Sequence, residues 1–173
     1  MDVMTDTQAE AASANTIFSP DDSLETLWIK AYQGEVLGEI LFSGIAAHLD
    51  DPERARKMRA LGRLERKTKE AAAPALERAG ISTEPDPETV ALAEALIEST
   101  AQIPWDDIMG SLGPITTQYR EMYARIGELD PSEVETSDML VAHELALASF
   151  GRLELAGDVS GSLDEIEALP HLQ

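Results

Sequence analysis

Apolar residues at alternating steps of four and three constrain this chain more than any other feature. From Leu24 the series runs through Trp28, Ala31, Glu35, Gly38, Phe42 and Ile45, a spacing that stacks side chains on one face of a helix. Similar spacing links Met58, Leu61, Glu65, Thr68, Ala72, Ala75 and Ala79. It returns in Trp105, Ile108, Leu112, Ile115, Tyr119, Met122, Ile126 and Leu129. A fourth stretch, from Met139 to Leu155, is apolar nearly all round, as a helix buried on every side would be. No segment shows the alternation of a half-buried strand, and no internal repeat is present. The fold is therefore predicted to be all-α.

Punctuation between these stretches sets the expected layout. Residues 1–20 read as a flexible acidic tail ending at Pro20, residues 21–157 as one helical domain, and 158–173 as an acidic C-terminal tail with a short helical turn. The first long helix is predicted over 22–48, with Ser19 and Ser23 as candidate caps. The second is predicted over 52–79, opened by Pro52 and stopped by Gly80. Pro74 would kink it. The third spans 104–129, bent near Gly113 and Pro114. The fourth spans 132–156, with Ser132 and Glu135 at capping-box spacing. The first and second helices are joined by a few residues, as are the third and fourth, so each pair should be an antiparallel hairpin. Between the hairpins lie roughly two dozen residues that include a short amphipathic helix over 87–102, enough to cross the bundle.

Composition narrows the function classes. A chain of 173 residues that is 43% hydrophobic can bury a sizeable core. Its formal net charge of −20 repels phosphate, so nucleic acid is not expected as a partner. The absence of cysteine excludes disulfides, thiolate zinc sites, iron–sulfur clusters and cysteine nucleophiles. No apolar run reaches the length of a membrane span, and residues 1–19 have neither the basic nor the apolar part of a signal peptide, so a cytoplasmic location is expected. Nine of the thirteen Lys and Arg residues lie between Arg54 and Arg78. That face is either solvated and balanced by acidic neighbours, or a docking surface for an acidic partner or a phosphate-bearing ligand.

Three glutamates, Glu35, Glu65 and Glu144, sit near the middle of long helices, on or beside the apolar stripe. A buried carboxylate is tolerated mainly when it is paired, protonated or bound to metal. Mid-helix positions of similar antiparallel helices reach the same level, so the three should converge at the waist of the bundle. His143, beside Glu144, is the one imidazole placed to join them. Gly34 and Gly38 bracket Glu35 and leave room for a neighbouring helix or a ligand.

Two hairpins, a long crossover and mid-helix glutamates resemble the ferritin-like superfamily of di-iron carboxylate bundles. The resemblance implies a ferritin-like four-helix bundle, iron or manganese as cofactor, and an oxidase or hydroxylase activity. In that superfamily the first helix supplies a Glu, the second and fourth each a Glu-x-x-His, and the third a Glu. Glu35, Glu65 and Glu144 match three of those glutamates. Thr68 and Leu147 occupy the two histidine positions, and Tyr119 stands on the third helix's stripe, with Glu121 facing away. The expected ligands are thus Glu35, Glu65, Glu144 and His143, supported by Tyr32, Glu39, Thr68 and Tyr119. Glu39 alternatively pairs with a basic residue of the second helix at the rim. The other reading is a non-catalytic bundle that lost the metal, in which the glutamates share protons or bond Tyr32, Tyr119, Thr68 and His143. Trp28, Trp105 and a second stripe of Leu27, Leu37 and Leu41 suggest a homodimer.

Overall fold

A computed structural model describes residues 16–173; most of the expected N-terminal tail lies outside them. Six α-helices follow one another: α1 (Leu24–His48), α2 (Pro52–Arg78), α3 (Pro87–Thr100), α4 (Trp105–Leu129), α5 (Val134–Ala156) and α6 (Asp164–Glu167). Two 3-10 turns, Pro131–Glu133 and Pro170–Leu172, complete the described residues, which contain no strand.

Local chemistry sets most of the boundaries. The Ser23 hydroxyl accepts from the Thr26 N–H at the start of α1, and Asp51 accepts from the Glu53 and Arg54 N–H groups ahead of Pro52. Each cap satisfies amides that have no partner within the helix. Gly157 ends α5 at φ 79°, a left-handed conformation that costs glycine little. The start of α5 departs from expectation. Ser132 does not cap it, because its hydroxyl donates to Asp130 inside the Pro131–Glu133 turn. Glu133 instead accepts two bonds from the Arg78 guanidinium, at 2.6 and 2.8 Å, tying the end of α2 to the α4–α5 corner. Pro74 and Pro114 are carried inside unbroken helices. In the turn after Pro114, the Thr116 and Thr117 hydroxyls both donate to the Gly113 carbonyl.

Helices α1 and α2 pack along their lengths, as do α4 and α5, and α3 lies against α1. Short connections make each long pair antiparallel. The core falls into two apolar clusters. One gathers Leu27, Trp28, Val36, Leu76, Met122 and Leu140. The other gathers Phe42, Met58, Leu64, Met109, Leu147 and Phe150. Near the junction of the two clusters, α1, α2, α4 and α5 bring buried polar side chains to the middle: Glu35, Glu65, Thr68, Thr116, His143 and Glu144.

Two expectations change here. Helix α5 is not buried all round, since Leu145 and Leu155 are about half exposed. Trp28 and Trp105, expected to leave apolar surface for a dimer, are inside this chain. The C-terminal residues add to the core through Leu163, Ile166 and Leu169. A buried ion pair ties that segment down: Lys57 Nζ donates to Glu154 Oε1 and, at 2.7 Å, to the Val159 carbonyl. The Trp105 indole N–H donates to the other Glu154 oxygen at 3.2 Å.

Candidate metal centre

Glu35 from α1, Glu65 from α2 and His143 from α5 meet at the waist. Each offers one ligand-type atom, and the three atoms lie within 4.8 Å of one another. His143 stands between the acids: Nδ1 is 3.4 Å from Glu35 Oε2, and Nε2 is 3.4 Å from Glu65 Oε1. Neither ring nitrogen makes an aligned hydrogen bond, and Glu35 Oε2 and Glu144 Oε2 are also buried without a partner. A buried polar atom left unpaired costs roughly 1–3 kcal/mol, so four such atoms at one level demand an explanation. A cation among them is one, and two carboxylates with an imidazole are a donor set suited to iron or manganese.

The environment sets the protonation of the metal-free cluster. Burial pushes Glu35 up to about 8, against the field of His143, which lowers it, while the neighbouring Glu65 charge raises it further. Glu65 also rises to about 8 through burial, with its contact to Glu35 working the other way and Glu39 adding to the rise. Burial likewise raises Glu144, with the charges of Glu65 and Glu35 reinforcing it and Arg120 opposing it. Burial holds the His143 imidazole below its ordinary range. Without a metal, the cluster is thus a set of largely neutral acids around a neutral imidazole.

The other expected residues fall into two groups. Tyr119 lies by the cluster, where burial and the charges of Glu144, Glu35 and Glu65 raise its hydroxyl. Glu39 sits at the rim with Lys69, Nζ to Oε2 2.5 Å. Thr68 and Tyr32 make their contacts elsewhere. The Thr68 hydroxyl donates to the Leu64 carbonyl, which leaves its oxygen to accept from His171 Nε2 at 3.0 Å. The Tyr32 hydroxyl meets Thr83. Seven of the nine basic residues between Arg54 and Arg78 are in ion pairs with this chain's own carboxylates.

Three contributors were not anticipated. Tyr123 donates to Glu35 Oε1 at 2.8 Å, and its ring lies 5.8 Å from that of Tyr119. Its spacing of four from Tyr119 was the available signal, hidden because Met122 completes the same stripe. Arg120 acts on Glu144 through its charge. His171, a residue near the chain end with no pattern around it, reaches Thr68 only because the C-terminal segment folds back.

Glycine shapes the centre at two positions. A Cβ on Gly38 would lie 2.6 Å from Glu65 Cδ, and one on Gly34 would lie 2.7 Å from Tyr119 Cε1. These close approaches press Glu65 and Tyr119 against α1. Gly38→Ala is therefore expected to displace the Glu65 carboxyl and destabilise the fold by about 1–3 kcal/mol, as overpacking does. Urea unfolding would measure the loss, and a crystal structure of the variant would show whether Glu65 moves.

Beside the cluster, a cleft of about 540 Å³ runs between α1, α3 and α4 and reaches Glu35, Glu65 and Glu144. Among the described residues no helix is long and apolar enough to cross a membrane. Comparison adds no relative from which to transfer a role: no protein-family model, no curated protein and no solved structure matches this chain.

Proposed function

We propose that this protein is a metal-binding helical bundle with a ferritin-like arrangement, holding iron or manganese between Glu35, Glu65 and His143, with Glu144 beside them. The observation that carries this reading is the meeting of two carboxylates and an imidazole within 4.8 Å at a buried level where both imidazole nitrogens lack hydrogen bonds. A divalent ion would hold the acids ionised and offset their burial. Tyr123 orients the Glu35 carboxyl, as a neighbouring donor commonly orients a ligand. The adjoining cleft gives a small molecule a route to the ion, and so supports an oxidase or hydroxylase role.

A second reading has its own support. Thr68 and Leu147 provide no imidazole, and the raised carboxyls can remain neutral without a cation. In that case the waist is a structural core of shared protons.

Substitution at Glu65 separates the two. For a metal site, Glu65→Ala should abolish binding of Fe(II) or Mn(II), measured by calorimetry and elemental analysis, with helicity retained. For a structural core, Glu65→Leu should be neutral or raise the melting temperature, because packed apolar residues often replace buried polar groups at no loss. Failure of the unaltered protein to bind either ion would remove the metal reading.

A further inference from the structure

The cleft beside the carboxylates has the chemistry of a ligand site in its own right. Much of its lining is aliphatic, including Leu37 and Leu41 from α1, Leu96 from α3, Leu112 from α4 and Leu147 from α5, with Tyr119 and Tyr123 beside the acids. Leu147 stands where the resemblance would place a histidine, so a wall of the cleft takes the place of a metal ligand. The mouth carries Leu92, Ile103 and Ile115, each between 42% and 52% exposed. Three of the large apolar residues that this chain leaves in water therefore surround one opening. Glu144 also lines the cleft, and its Oε2 is buried without a hydrogen-bond partner. The lining includes four acidic residues, Glu35, Glu65, Asp107 and Glu144, and no Lys or Arg.

From this cleft we infer that the protein binds an unbranched aliphatic molecule with a neutral oxygen-bearing head, the tail between α1, α3 and α4 and the head at Glu144. A tail covers the exposed mouth and fills a volume within the range of small-molecule pockets. A hydroxyl head gives the unpartnered Glu144 oxygen a hydrogen bond. An anionic head would lose its hydration in a cleft whose lining holds no Lys or Arg to replace it. An ammonium head would lose its hydration in an apolar passage. The inference names a ligand for the site proposed above but rests on the cavity rather than on the ion, so it is tested on chelator-treated protein.

Calorimetry with 1-octanol, 1-nonanol and 1-decanol on the full chain is the experiment. Saturable one-to-one binding is expected, strengthening about fourfold per methylene while the tail is being buried. Decanoate and decylamine should each bind at least tenfold more weakly than 1-decanol. Leu96→Trp, which fills the cleft, and Ile115→Glu, which places a charge at its mouth, should each weaken decanol at least tenfold while Mn(II) binding stays unchanged. Absence of saturable decanol binding would overturn the inference, as would equal or tighter binding of either charged analogue, or no effect of both substitutions. So would a dimer in light scattering that decanol dissociates, since a second copy would then cover the cleft. Loss of Mn(II) binding in the unaltered protein would remove the metal reading and leave this one standing.

Discussion

Raising the pH from about 6.5 to 8 is expected to lower the melting temperature of the chelated protein. Glu35 and Glu65 keep their protons in the folded state up to about 8, whereas in the unfolded chain they release them near 4.3. Between those values the folded state binds more protons, so stability falls as pH rises, by roughly 1.4 kcal/mol per unit for each acid. Their contribution is complete below the unfolded value and is lost as pH passes through 8. Below about 6.5, His143 works in the opposite sense, because burial keeps it neutral while the unfolded imidazole takes up a proton. The clean window therefore lies between about 6.5 and 8. Metal reverses the slope: carboxylates ionised by an ion must be reprotonated to release it, so the loaded protein should lose stability as pH falls. Melting curves at pH 6.5 and 8, with and without chelator, measure both signs. A metal-free melting temperature that does not fall toward pH 8 would remove the account of a neutral acid cluster.

Glu154→Ala is expected to be the most damaging single change away from the waist. Lys57 and Glu154 are almost fully buried, and Glu154 also holds the Trp105 indole. Removing one member of a buried pair leaves an uncompensated charge, a loss of about 3–5 kcal/mol. For a chain of this length that corresponds to a fall in melting temperature on the order of 10 °C. The double variant Lys57→Met/Glu154→Leu should recover more than half of the loss, because the stranded charge disappears with the pair. Recovery should be incomplete, since Val159 and Trp105 still lose their partners. Urea unfolding of both variants checks the sign and the size.

Much of the helical layout could be read from the chain because helix formation depends on neighbours three and four residues apart. Pro52, Asp51, Ser23 and Gly157 act within one turn, so their effects follow from adjacent residues alone. Capping at Ser132 was not readable in the same way. Its hydroxyl had to choose between the α5 amides and Asp130, and the Arg78–Glu133 contact, 55 residues apart in sequence, anchors that corner.

Glu35, Glu65, Glu144 and His143 were legible as misfits on apolar stripes, since a charged side chain among Leu and Phe is improbable without a partner. Which of them meet was decided by the tertiary structure. That depends on how each helix is rotated about its own axis, a phase set by packing between hairpins rather than by local spacing. Tyr32, one turn before Glu35, and Tyr119, on the third helix's stripe, were both expected to support the carboxylates, yet one meets Thr83 and the other the carboxylates. Tyr123, four residues beyond Tyr119, acquires its role from the same rotation. The cleft has no sequence signature at all, because its lining comes from five helices and its volume is what their packing leaves unfilled. The sequence by itself determined the helices and the residues costly to bury; only the packed bundle decided their partners, because those contacts join residues that are neighbours in space and distant along the chain.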